Sequence, residues 1–171
     1  MLTNDVLIDG FKRVHGVVNA VLADLTTEQL HYRPTKDANS IAWLIWHLAR
    51  VQDDHIAQVA GAEQQWFIEW YKTFKLPYEK EAIGYGQSSA EVGAMKTTAA
   101  RLRGYYDDVF KMTERYLEGL KEQDYLKVID ASWDPPVTLA VRLVSILNDT
   151  TQHAGQAAYV KGLLAPQAAQ E

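Results

Sequence analysis

Apolar side chains recur three or four positions apart along four stretches of the chain, about 4–24, 39–61, 88–119 and 138–164, and this spacing predicts four long helices. The boundary residues agree. Asn39 or Ser40 suits the start of the second helix, Ser88 or Ser89 followed by Glu91 that of the third, and Thr138 after Pro135 and Pro136 that of the fourth. Thr3 or Asn4 is a weaker start for the first. Between the second and third helices the pattern lapses over 62–87, a connection far longer than the turn that joins antiparallel neighbours in a bundle. Trp66, Trp70 and Phe74 recur there at i, i+4, the spacing of a short helix that either packs as a lid or, more simply, contributes to the core. The expected fold class is all-α, and the tail APQAAQE is expected to fray.

Composition narrows the field. With 171 residues, 47% hydrophobic and 23% charged, the chain is long enough for one well-buried core and is expected to form one domain over 1–171. A formal charge of -5 without clustered Lys and Arg argues against a nucleic-acid partner, whose phosphates demand such clusters. The start MLTNDVLIDGF lacks the basic and apolar regions of a signal peptide, and no run reaches the roughly 18 apolar residues of a membrane helix. The expected location is cytoplasmic, with no membrane partner. The absence of cysteine excludes disulfides, a zinc–thiolate site and a thiol nucleophile of the chain's own. Any thiol chemistry must use a thiol from outside.

Two stretches carry candidate chemistry. In SILNDTTQHAGQ, Asp149 and His153 stand at i, i+4, about 40° apart around the helix and one turn apart along it, close enough to share an ion. In SIAWLIWHLARVQDDH, His47 sits among Trp43, Leu44, Leu48 and Val51 on a face too apolar for solvent, so a neighbouring helix must cover it. If the two meet, two imidazoles and a carboxylate surround one point with positions open for water or substrate, which is a catalytic type of metal site. Zinc suits it, and the same set is the iron(II) facial triad, so the ligands alone do not choose the metal. The plainer reading is a hydrogen-bonded core histidine and an ordinary helix-surface Asp–His pair. His15, His31 and His55 are weaker candidates: His15 has no evident partner, His31 falls in a loop, and His55 is turned about 80° from His47.

At these residues the chain resembles the DinB-like four-helix-bundle superfamily, which includes mycothiol-dependent maleylpyruvate isomerases and the bacillithiol and mycothiol S-transferases. The resemblance lies in NSIAWLIWHLARVQDD, IGYGQSSAEV and VTLAVRLVSILNDTTQHAGQAAYVKGLL, covers nearly the whole chain, and is closest to the branch without an assigned function. It implies a divalent metal, often zinc, held by His47, Asp149 and His153. Many members carry histidine where Asp149 stands, and the isomerase-like ones a carboxylate. It also implies an up-down-down-up bundle, whose parallel neighbours require a crossover such as 62–87, and frequently a homodimer.

A bound divalent ion lowers the pKa of a coordinated water or thiol. The expected function is therefore activation of a low-molecular-weight thiol for S-transfer to, or isomerisation of, a small electrophile. Asp54 and Arg142 share the ligand stripe and are candidate catalytic residues, Asp54 as base or orienter and Arg142 as a holder of substrate carboxylate. Arg142, Gln156 and Tyr85 are candidate binding residues. The bland alternative for Asp54 and Arg142 is a salt bridge between the second and fourth helices, and for Gly84-Tyr85-Gly86 a turn. Two other functions fit the same residues: a hydrolase using metal-bound water, and a non-catalytic bundle that keeps a metal for stability.

Overall fold

The structure, a computed structural model, describes residues 3–164, so the tail expected to fray lies outside the described residues. In chain order the helices are α1 (Thr3–Leu22), α2 (Thr27–His31), α3 (Ile41–Ala60), α4 (Tyr71–Phe74), α5 (Ser89–Ala94), α6 (Ala99–Glu118) and α7 (Leu139–Leu163). A π-helical turn, Trp66–Trp70, leads into α4, and a two-stranded antiparallel ribbon, β1 (Val128–Asp130) and β2 (Val137–Thr138), precedes α7. Among the described residues the regular structure is thus helical apart from one small ribbon, as expected of an all-α protein. Among the described residues no helix is long and apolar enough to cross a membrane.

The caps form where the sequence places them. Ser40 accepts from the Trp43 amide, Ser88 and Glu91 make a reciprocal capping box, and Thr138 accepts from the Val141 amide. The single helix expected over 88–119 is two. Thr98 takes the N-cap role for α6 by accepting from the Arg101 amide, and the Thr97 amide donates to His31 Nε2 at 3.1 Å instead of continuing a helix. His31, read as a loop residue, therefore sits at the end of α2 and holds this break. His15 also has a structural partner, Asp107 across the α1–α6 seam at 2.6 Å, with its ring stacked on Phe110.

The four long helices pack pairwise, α1 and α3 each against both α6 and α7. From Ile41 to Asp53 every residue of α3 is buried, because α6 and α7 cover one side and the 62–87 connection crosses the other. Trp66 and Phe74 are buried and pack on Tyr105, so these aromatics belong to the core and do not form a lid.

A buried ion pair holds this connection. Asp53 accepts from the Gln65 and Trp66 amides at 2.9 and 2.8 Å and from the Tyr105 hydroxyl at 2.8 Å. Burial pushes its carboxyl up from the ordinary value, but each of these neighbours donates to it, the arrangement of an ionised carboxylate. Arg50, one turn earlier, donates to the Ala82 carbonyl at 3.1 Å, to Gln64 Oε1 at 2.8 Å and to the Tyr105 hydroxyl, with its guanidinium over the Trp66 ring. Both ends of the connection are thereby tied to one turn of α3. Asp53→Ala, which strands the Arg50 charge in the core, is expected to cost about 3–5 kcal/mol. Urea denaturation checks this; a loss within about 0.5 kcal/mol, that of a surface substitution, would mean the pair is not the anchor.

Candidate metal centre

His47 faces the α3–α7 seam, packed flat on Trp43 at 4.6 Å between ring centroids. Its Nδ1–H donates to the Ile83 carbonyl at the end of the connection. A carbonyl only accepts, so the proton lies on Nδ1 and the Nε2 lone pair is free. The backbone comes this close because the next residue is Gly84: its φ is +104°, and a Cβ there would lie 2.6 Å from His47 Nδ1.

On α7, Thr150 and Ala154 are buried while Asp149 and His153 sit at the edge of the seam, half-covered. His153 Nδ1 pairs with Gln156 Oε1 at 2.9 Å, which leaves its Nε2 free as well, 3.6 Å from Asp149 Oδ1. The His47 and His153 ring centroids are 4.8 Å apart. One ligand atom from each of His47, Asp149 and His153 lies within 4.8 Å of the others. Asp149 Oδ2 is buried without a hydrogen-bond partner among the described residues.

This donor set fits a divalent cation. Two imidazoles held in the tautomer that leaves Nε2 free stand beside a carboxylate, one oxygen of which no described residue satisfies. His47 has its pKa lowered by burial first and then by His153, against the hydrogen bond to Ile83, so it sits neutral, the state a metal requires.

The surrounding candidates are placed differently from expectation. Arg142 makes no bridge to Asp54; its Nη1 donates to His55 Nδ1 at 3.1 Å and its Nη2 lies 3.7 Å from Asp130 on the ribbon. Asp54 accepts from Gln64 Nε2 at 2.8 Å. Asp54, His55, Gln64, Asp130 and Arg142 together line an open cleft of about 590 Å³. Since a guanidinium only donates, His55 carries its proton on Nε2, and burial and Arg142 lower its pKa. Gln156 is an orienter of His153. Tyr85 stands edge-on to His47 at 5.1 Å, largely exposed, its hydroxyl pKa raised by burial and by Asp149 and Asp54.

In the sequence His55 ranks below His47 because it is turned about 80° around the helix, and the ribbon that brings Asp130 to its partner Arg142 leaves no periodic signal; Ile83 leaves none either, since its contribution is a backbone oxygen. Gly84 was the one visible sign, and it read only as a turn.

Comparison with known proteins agrees with this architecture. A crystal structure of a conserved protein from Enterococcus faecalis superposes with a TM-score of 0.88 at 30% identity, covering 95% of this chain and 97% of that one. Among curated proteins none matches. Residues 6–166 match the family described as mycothiol-S-transferase. Nearly the whole chain is included, and the protein belongs to this mycothiol S-transferase family, one of the DinB-like group.

Proposed function

We propose that the chain is a divalent-metal-dependent enzyme that activates a low-molecular-weight thiol for transfer to, or isomerisation of, a small electrophile, with His47, Asp149 and His153 holding the ion. The observation that carries this reading is the clustering of one ligand atom from each of His47, Asp149 and His153 within 4.8 Å of the others, with Asp149 Oδ2 buried and unpartnered among the described residues. Family membership supports the thiol, and a chain without cysteine has no thiol of its own to offer. Zinc is the metal we favour for the N2O donor set.

The helix contacts support an up-down-down-up bundle as the frame. His15–Asp107 and Lys12–Glu114 run α1 against α6, while Gly10 beside Leu147 and Lys161 on the Ala20 carbonyl run α1 along α7. His47–His153 and His55–Arg142 run α3 against α7.

An ion at the three ligands supplies the charge that lowers the pKa of a bound thiol. The residues of the cleft do the rest. Asp54, held by Gln64 through Oδ1, accepts the proton an incoming thiol gives up, and His55 Nε2–H donates to the substrate. The cleft wall carries the carboxylates of Asp54, Glu63 and Asp130 against the single guanidinium of Arg142, itself engaged by Asp130 and His55. Arg142 is therefore a poor holder of a substrate carboxylate, and the cleft suits an uncharged or ammonium-bearing thiol better than an anionic one.

Three outcomes follow from this reading. Zinc at about a thousandfold above its dissociation constant contributes roughly 4 kcal/mol, which in a domain of this size raises the melting temperature by about 8–16 °C. Thermal melts with chelator and with zinc are expected to show that rise in the wild type and in Asp149→His. The rise is lost in His47→Ala and His153→Ala and largely lost in Asp149→Asn; an unchanged rise in the two alanine variants would sink the ligand assignment. Turnover of a generic electrophile is expected to require added thiol and to stop on chelation, whereas equal turnover without thiol would point to hydrolysis by metal-activated water. Within a thiol panel at low salt, neutral hydroxyl-bearing thiols are expected to have lower KM than carboxylate-bearing ones; the reverse order would refute the assigned charge of the cleft.

A further inference from the structure

We infer that Arg50 and Asp53 are positioning residues for the metal ligand His47, acting through the backbone of the 62–87 connection without touching the imidazole. The inference rests on the metal reading for its purpose and on geometry for its content. Arg50 Nε donates to the Ala82 carbonyl at 3.1 Å. The very next carbonyl, that of Ile83, accepts from His47 Nδ1–H. Gly84 follows with a conformation only glycine adopts easily, and a Cβ there would collide with His47 Nδ1 at 2.6 Å, so the backbone can lie against the imidazole only with glycine at this position.

The same pair secures the other end. Asp53 takes the Gln65 and Trp66 amides, the Trp66 indole donates to the Lys80 carbonyl at 2.9 Å, and Arg50 Nη1 donates to Gln64 Oε1 at 2.8 Å. Residues 80–83 are thus fastened to α3 by Arg50 directly and by Asp53 through Trp66. Gln64 passes the constraint on to Asp54, to which its amide donates at 2.8 Å. One buried pair therefore orients the first ligand and a candidate base together.

His153 provides an internal comparison. Its Nδ1–H is held by Gln156 on its own helix, and none of these contacts reaches that anchor. Loss of the Arg50–Asp53 tie should release the His47 tautomer and leave that of His153 as it was. General loosening of the fold would disturb both.

The experiment records the tautomers of both histidines by long-range 15N–1H NMR in metal-free protein, at a pH where the rings are neutral, and zinc affinity by competition with a chromophoric chelator. In wild type both rings are expected as Nδ1–H. In Arg50→Lys, which keeps the charge but cannot reach Ala82 and Gln64 at once, His47 is expected to become a tautomer mixture while His153 stays Nδ1–H. Zinc affinity should fall about 10–100-fold, as for loss of an outer-shell partner of a metal-bound histidine. Where Arg50→Lys does not fold, Asp53→Asn keeps the shape, can no longer accept from the Gln65 and Trp66 amides through separate oxygens, and is expected to give the same asymmetric change. An unchanged His47 tautomer in the folded variant, or equal disturbance of His47 and His153, overturns the inference. Wild-type protein that takes up no zinc would refute the ligand assignment, and the tautomer comparison would still decide the role of Arg50 and Asp53.

Discussion

A charged pair with no solvent exposure, Arg50 and Asp53 on one turn of α3, is the interaction on which the rest of this structure depends. Two ions taken out of water are a burden unless their remaining hydrogen-bonding capacity is met. Here the backbone and side chains of the 62–87 connection and Tyr105 meet it except at Arg50 Nη2, which has no hydrogen-bond partner among the described residues, while the guanidinium lies over the Trp66 ring. The stretch that satisfies the pair is thereby obliged to run across α3, and this obligation keeps a long segment with little regular structure in a single path. Aromatic packing of Trp66 on Trp46, Phe74 and Tyr105 fills the space beneath it.

From that path follows the asymmetry of the candidate metal centre. Two of its three residues lie four apart on α7 and need only a regular helix to face one another. His47 comes from another helix, is buried on all sides and depends on a backbone carbonyl 36 residues away for its tautomer. The two histidines thus present the same nitrogen by different means: one held locally by Gln156, the other by tertiary structure. Of the three, Asp149 has a buried oxygen with no hydrogen-bond partner among the described residues, so the group is not a polar network complete in itself.

Beside it, the cleft shows how pairing changes the meaning of a residue. Arg142 on a helix stripe suggests an anion receptor. With Asp130 and His55 on its guanidinium it becomes a framework residue that fixes the His55 proton on Nε2 and leaves carboxylates dominating the wall.

The sequence by itself determined the helical fold class, the extents of α1, α3 and α7, three of the helix caps and the Asp149–His153 pair, since each depends on spacing within a few residues. The embedding of His47 in apolar neighbours also foretold its burial, and the resemblance to the DinB-like group rested on those same stretches. Tertiary structure decided the rest. The break between α5 and α6 depends on His31, 66 residues from the amide it caps, and the fate of Arg142 on a ribbon too short to leave a pattern. The crossing of 62–87 depends on a buried ion pair whose partners are mostly backbone groups. Local periodicity records which face of a helix is apolar; it carries no record of which distant carbonyl or amide will meet a given side chain, because every residue supplies the same backbone atoms and only the folded path selects among them.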